Sequence, residues 1–163
     1  MFNDSLNFSV HIYETINKCI SILALLQRNF KDLTKESFLL LYKLLVRSKL
    51  EYAGNVWSPW KIKEIESIER VQKRATKMVK ECVGLKYEER LKVLNLPCLR
   101  YRRTRGDLIM VFNMLRNHED CHCYPDLKRH QDDRTRGHNY KLDKIRFCKN
   151  MRKFYFSNRV VTS

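Results

Sequence analysis

The sequence predicts an all-α protein: a bundle of about five helices followed by a basic, less regular C-terminal extension. Three observations carry that prediction. Apolar residues recur at spacings of three and four through residues 1–116, the period of a helix with one buried face. Only 4 Gly and 3 Pro occur in 163 residues, too few for a sandwich or barrel built on many tight turns. An apolar content of 44% is enough for a single buried core.

Each element follows from its local pattern. Ile12, Ile16, Cys19, Leu23, Leu26 and Phe30 line one face of a helix over about 11–30. Thr34 reads as the next N-cap, its hydroxyl taking a free first-turn amide. Leu33 and Phe38 hold the N′ and N4 positions of a hydrophobic staple. Phe38, Leu41, Tyr42, Leu45 and Val46 form the apolar stripe of this second helix, and the segment from Tyr52 to Trp60 breaks it. Ser58 as cap and Pro59 as first residue predict a third helix over about 60–82. Its inward stripe is Ile65, Ile68, Val71, Ala75, Met78, Val79 and Cys82. A short helix over about 87–95 places Leu91 and Leu94 inward and stops at Pro97. A fifth, over about 99–116, carries Leu108, Val111, Phe112 and Leu115. Residues 1–116 thus form a helical domain, 117–133 a loop and 134–163 the extension, in which Asn139–Phe147 has a short extended pattern.

The formal net charge is +15, which points to a polyanionic partner. The excess is concentrated. Residues 61–106 and 128–163 each carry +8, against +2 for residues 1–60 and −3 for 107–127. No stretch reaches the ~18 consecutive apolar residues of a membrane span, so a membrane partner is not expected. Gly54, Gly84, Gly106 and Gly137 stand too far apart for a glycine-rich phosphate loop. Met1 and its neighbours lack the basic start and long apolar run of a secretion signal. The six cysteines, Cys19, Cys82, Cys98, Cys121, Cys123 and Cys148, are therefore expected as reduced thiols in a cytosolic or nuclear compartment.

The third helix holds the strongest functional signal. Lys63, Arg70, Lys73, Lys77 and Lys80, with Arg74 adjacent, recur at helical spacing roughly opposite its apolar stripe. A row of cations on a rigid helix tracks phosphates and releases counterions. The alternative is a solvated face with Glu66–Arg70 and Glu69–Lys73 pairs along the helix. Arg100, Arg102, Arg103 and Arg105 crowd the start of the fifth helix, where only Glu88, Glu89 and Asp107 lie nearby in sequence. Arg134 and Arg136 make a second cluster in a loop. Tyr140, Phe147, Phe154, Tyr155 and Phe156 are interleaved with the basic tail, a combination suited to single strands; packing back onto the helices is the favoured reading for most of these rings.

Three other matches lack their context. His118-Glu-Asp-Cys-His122 fits H-E-x-x-H, but Asn117, Asp120 and Pro125 mark a helix end, and no glutamate follows Glu119 as a further ligand. His118, Cys121, Cys123 and His130 are zinc-ligand types at irregular spacing, so no metal or other cofactor is expected. Asp132-Asp133 lacks the apolar strands that hold paired carboxylates at two catalytic metals. No catalytic residue is assigned.

A longer series of segments is informative together. Gln27-Arg-Asn-Phe-Lys-Asp-Leu-Thr, Leu41-Tyr-Lys-Leu-Leu-Val-Arg-Ser-Lys-Leu-Glu-Tyr-Ala and Val56-Trp-Ser-Pro-Trp occur in order. Ile65-Glu-Ser-Ile-Glu-Arg-Val-Gln-Lys-Arg-Ala-Thr-Lys, Tyr87-Glu-Glu-Arg-Leu, Arg102-Arg-Thr-Arg-Gly-Asp-Leu and Thr135-Arg-Gly-His follow. The series, from about Asn3 to Val161, resembles the C-terminal part of reverse transcriptases from jockey-like LINE (non-LTR) retrotransposons. The resemblance implies a thumb-like helical domain that grips a template–primer duplex or hybrid through its backbone. It further implies that the palm with its catalytic aspartates and the endonuclease domain lie upstream in the parent protein. The chain would then be a non-catalytic fragment, starting after the palm and ending before the family's Trp-containing helix. A stand-alone helical module that binds nucleic acid or another protein is the alternative expectation.

Overall fold

The computed structural model describes residues 8–116, Leu127, Leu142, Asp143, Arg146 and residues 154–161. The fold is all-α, with no strand among the described residues. The chain divides into two compact units, Met1–Arg103 and Thr104–Ser163.

In the first unit, α1 (Ser9–Asn29) buries Ile12, Ile16, Cys19, Leu23 and Leu26, the predicted stripe less its last member. Phe30 is 46% exposed because it sits at the C-cap in extended backbone, where the helical period has ended. Thr34 caps α2 (Lys35–Leu41) by accepting from the Ser37 amide at 3.3 Å. Leu33 and Phe38 are both buried in the first core cluster.

The second helix departs from its expected face. After Leu41 the backbone widens into a π-helical segment, Tyr42–Arg47, and returns to α-helix in α3 (Ser48–Glu51). The buried residues are Phe38, Tyr42, Val46 and Leu50, each four apart. In a regular α-helix a four-residue step overshoots one turn by about 40°, so three steps drift by about 120°. The wider π turns unwind that drift and keep the four on one face. Leu45, expected inward, is 41% exposed as a result.

The break contains one helical turn, α4 (Gly54–Trp57), entered through Ala53 in the left-handed region at φ 51°. Trp57 is buried and donates its indole N–H to the Tyr52 carbonyl at 2.6 Å. The third predicted helix is shorter than expected. α5 spans Ile62–Thr76, with Lys61 rather than Ser58 at the N-cap. Its far end is set by a distant residue. Arg90, on α6 (Tyr87–Val93), donates from Nη1 to the Lys73 carbonyl and to Thr76 Oγ1, both at 3.0 Å. The Thr76 hydroxyl also donates to Lys73 O. The Lys77 amide turns to the Arg74 carbonyl instead, and the i→i−4 ladder stops. Val79 and Cys82 stay buried, but from a turn and a 3₁₀ segment, Lys80–Cys82.

α6 opens with Glu89 accepting from the Lys86 amide at 2.8 Å. It closes in a Schellman arrangement around Asn95, which takes φ 49° while the Leu96 amide reaches back to the Leu91 carbonyl at 2.9 Å. α7 covers Leu99–Arg116 as predicted. Glu69 on α5 accepts from the Leu99 amide at 3.1 Å, placing a carboxylate at the positive end of α7. The phenol of Tyr87 donates to the other oxygen of Glu69. Gln72 ties the core together, accepting from Tyr42 Oη and donating to the Pro97 carbonyl, each at 3.0 Å. Ser9, Lys61 and Glu64 form a polar joint between α1 and α5.

In the second unit, Val111, Met114 and Leu115 of α7 cluster with Leu127, Phe156 and Val160, and Leu142 packs against them. Phe156 and Val160 belong to the last helix, α8 (Phe156–Val161). Leu108 and Phe112, expected inward, are 50% and 47% exposed. The buried face is instead the one that carries Asp107, whose carboxylate takes a fork of two bonds from Arg159 at 3.0 and 3.1 Å. The loop assigned to 117–133, Leu127 apart, and most of the extended pattern at Asn139–Phe147 lie outside the described residues.

Burial pushes the phenols of Tyr42 and Tyr87 far above their ordinary range, and for Tyr87 the hydrogen bond to Glu69 pushes further. The folded state therefore favours both protonated forms. Stability is full below the unfolded phenol pKa of about 10 and falls as the pH rises above it. Denaturant titrations at a series of pH values should show this alkaline loss. The loss should be shallower in Tyr87→Phe, which removes one of the two phenols.

Candidate nucleic-acid interface

α5 positions its cations through its burial pattern. Ile68, Val71 and Ala75 turn into the core together with Gln72, which fixes the rotation of the helix and leaves the opposite side in solvent. Lys63, Arg70, Lys73, Arg74 and Lys77 are all exposed. At about 100° per residue, Lys63, Arg70, Arg74 and Lys77 share a sector of roughly 60°. They extend about 21 Å along the axis at 1.5 Å per residue.

Not every predicted cation is equally available. Lys80 lies beyond α5 and pairs with Asp32, both side chains being about 70% exposed. Arg70 meets Glu66 at 3.8 Å, with side chains 72% and 59% exposed; such a surface pair is worth little and dissociates readily. Lys73 sits 5.1 Å from the centre of the Tyr87 ring. The pair with Glu69 that the solvated-face alternative requires does not form, since that carboxylate is engaged by Tyr87 and the start of α7. Lys63, Arg74 and Lys77 have no acidic partner among the described residues. For Arg74 and Lys77 the negative end of α5 is itself an attraction. Lys63 stands in the first turn, where the helix dipole disfavours a cation, so the fold supplies no reason for its charge.

The arginine cluster of α7 is split. Arg102 makes a bidentate ion pair with Glu51 of α3, the Nη2–Oε2 arm being 2.9 Å. This removes it from the set facing a ligand, and sequence reasoning missed it because the partner lies 51 residues away. Arg100 is exposed and Arg103 half-buried, both in the first unit with α5. Arg105 is exposed and belongs to the second unit. Arg134 and Arg136 lie outside the described residues, as do His118, Cys121, Cys123, His130, Asp132 and Asp133.

Among the described residues, no three His, Cys, Asp or Glu side chains gather as a metal site. No described helix is long and apolar enough to cross a membrane. Cys19 and Cys82 are buried, and Cys98 is half-buried. Burial raises the Cys19 thiol to about 11 despite the opposing charge of Lys49, which makes it a poor nucleophile. Compared with family models, with curated proteins and with solved structures, the chain finds no match in any of the three.

Proposed function

We propose that the chain is a non-catalytic, thumb-like fragment of a retrotransposon RNA-directed DNA polymerase, and that it binds template–primer nucleic acid through the backbone with α5. The observation that carries this reading is the exposed stripe on α5, where Lys63, Arg74 and Lys77 hold charge with no acidic partner among the described residues. The ordered series of segments from Gln27 to His138 supplies the retrotransposon part of the proposal. Contacts of this kind give affinity without base preference. The expected partner is an RNA–DNA hybrid or DNA duplex, and in the parent protein a palm domain supplies the catalytic carboxylates.

Equilibrium binding of a primer–template duplex over a range of salt tests the proposal. The log–log slope should be steep, at about −0.9 per phosphate contact on B-form duplex. Replacing Lys73 and Lys77 by Gln should flatten it. Replacing Lys18 and Lys43, exposed on the earlier helices, should change it less. Equal slopes for the two double variants would reduce the stripe to a solvated face.

One observation favours a protein-interaction module as the second reading. Leu40, Leu44 and Leu45 are 61%, 62% and 41% exposed along the second helix, the last turned outward by the π segment. Weak salt dependence of nucleic-acid binding, together with tight binding of a protein partner, would favour it.

A further inference from the structure

Within the second unit, α7 leaves an apolar face in water. Leu108, Ile109 and Phe112 are 50%, 47% and 47% exposed, and Arg105 and Arg116 beside them are exposed as well. All five belong to that unit. Its core is built on the other side of the helix, where Val111, Met114 and Leu115 cluster with Leu127, Phe156 and Val160. That side also takes in Asp107, 7% exposed and forked by Arg159. A buried ion pair adds little stability over apolar residues of the same size. The rotation of α7 nevertheless buries a charge and leaves three large apolar side chains outside. Adjacent exposed apolar residues with a polar rim mark an interaction surface.

The placement of charge says what covers this face. At about 100° per residue, Leu108, Phe112, Arg105, Arg116 and Ile109 follow one another within a sector of roughly 100°. The arginines thus lie inside the apolar sector and not along its edges. They stand about 17 Å apart along the axis at 1.5 Å per residue, one at each end of the apolar triplet. Asp107 is the only carboxylate on α7, and neither arginine has an acidic partner among the described residues. The Arg116 guanidinium lies 5.4 Å from the centre of the Phe112 ring instead. A phosphate backbone offers nothing apolar to cover the triplet. A lipid surface suits a face whose cations sit on the polar side of the helix, whereas inserting this triplet would draw both guanidiniums in with it. A second copy of the chain, paired antiparallel on the same face, would set Arg105 against Arg116. We propose that this face docks an acidic amphipathic helix of a partner protein. Its apolar residues cover Leu108, Ile109 and Phe112, and a carboxylate at each end meets Arg105 or Arg116, whose planar forks suit carboxylates. The surface is separate from α5, so this proposal does not depend on nucleic-acid binding there.

The test selects from a displayed library of helical peptides with one face randomised, using the full chain as bait at physiological salt. Enriched peptides should carry apolar residues at i, i+3 and i+4, with Asp or Glu at both ends about 11 residues apart. The best of them is then titrated against variants. Phe112→Gln should weaken it at least about tenfold. Arg105→Glu with Arg116→Glu should abolish its binding and admit its counterpart with Lys in place of the two acids. Replacing Lys63, Arg74 and Lys77 of α5 by Gln should change neither result. Helicity should be the same in all variants, since Gln and Glu are good helix formers. No enrichment, or enriched peptides without the paired acids, overturns the proposal. So does a peptide whose affinity follows the α5 charges and ignores Phe112. Binding to phosphatidylserine vesicles that is lost in Phe112→Gln would give the face to lipid and overturn it too.

Discussion

Replacing Lys63, Arg74 and Lys77 together by Gln should weaken duplex binding by about 100-fold at 0.15 M salt. The number follows from counterion release. Three lost phosphate contacts lower the log–log slope by about 2.7. If parent and variant converge near 1 M salt, where the electrostatic term vanishes, a slope difference of that size gives about two decades at 0.15 M. The loss should be the same for every duplex sequence, because these contacts reach no base edge. Folding should be nearly unaffected. Gln is a good helix former, and all three sites face away from Ile68, Val71 and Ala75. The helix dipole contributes small terms of opposite sign, favourable on losing Lys63 and unfavourable on losing Arg74 and Lys77. Titrations at four or more salt concentrations, with circular dichroism as control, measure this. An unchanged slope would remove α5 from the interface.

Arg90→Ala should produce the largest loss of stability, about 2–4 kcal/mol. Arg90 is 6% exposed, and its guanidinium lies 5.7 Å from the centre of the Tyr87 ring. Nη1 serves two acceptors at the C-terminal end of α5, the Lys73 carbonyl and Thr76 Oγ1, where a positive charge also meets the negative end of the dipole. Truncation leaves those acceptors short of a donor and opens space beside Tyr87. In a unit of this size such a loss lowers the midpoint by roughly 10–25 °C. Arg90→Lys keeps the charge but has no planar fork, and should recover less than half. Denaturant titration followed by the fluorescence of buried Trp57 reports on the unit concerned. A loss below about 0.5 kcal/mol would mean that water replaces the guanidinium without cost, and that Arg90 does not end α5.

The two expected effects separate the roles carried by one helix. The outer face of α5 can lose three charges with little change in fold. Its inner face and C-terminal end cannot lose one arginine from α6 without the helix end being remade. A binding defect in the first variant with normal melting, and a melting defect in the second, would confirm that the division follows burial.

What the sequence determined by itself was local and periodic. The all-α class, the stripe from Ile12 to Leu26, the Thr34 cap, the limits of α7 and the outward placement of the α5 cations all follow from spacings of three and four or from capping chemistry. Which polar groups meet was settled by the packing of the helices. The solvated-face alternative pairs Glu69 with Lys73 one turn away, yet Glu69 serves Tyr87 and the Leu99 amide. Arg102 passes over Asp107, five residues away, and pairs with Glu51. Arg90 had no evident task and ends α5 at Thr76, before the apolar pattern itself ends. The turned-out Leu45 and the π segment have the same origin, since the core selected a four-residue spacing that a regular α-helix cannot hold on one face. Burial periodicity is written along the chain because each residue carries its own hydrophobicity. A hydrogen bond or ion pair needs two groups, and where the second lies 17, 30 or 51 residues away, only the packed helices bring it within reach.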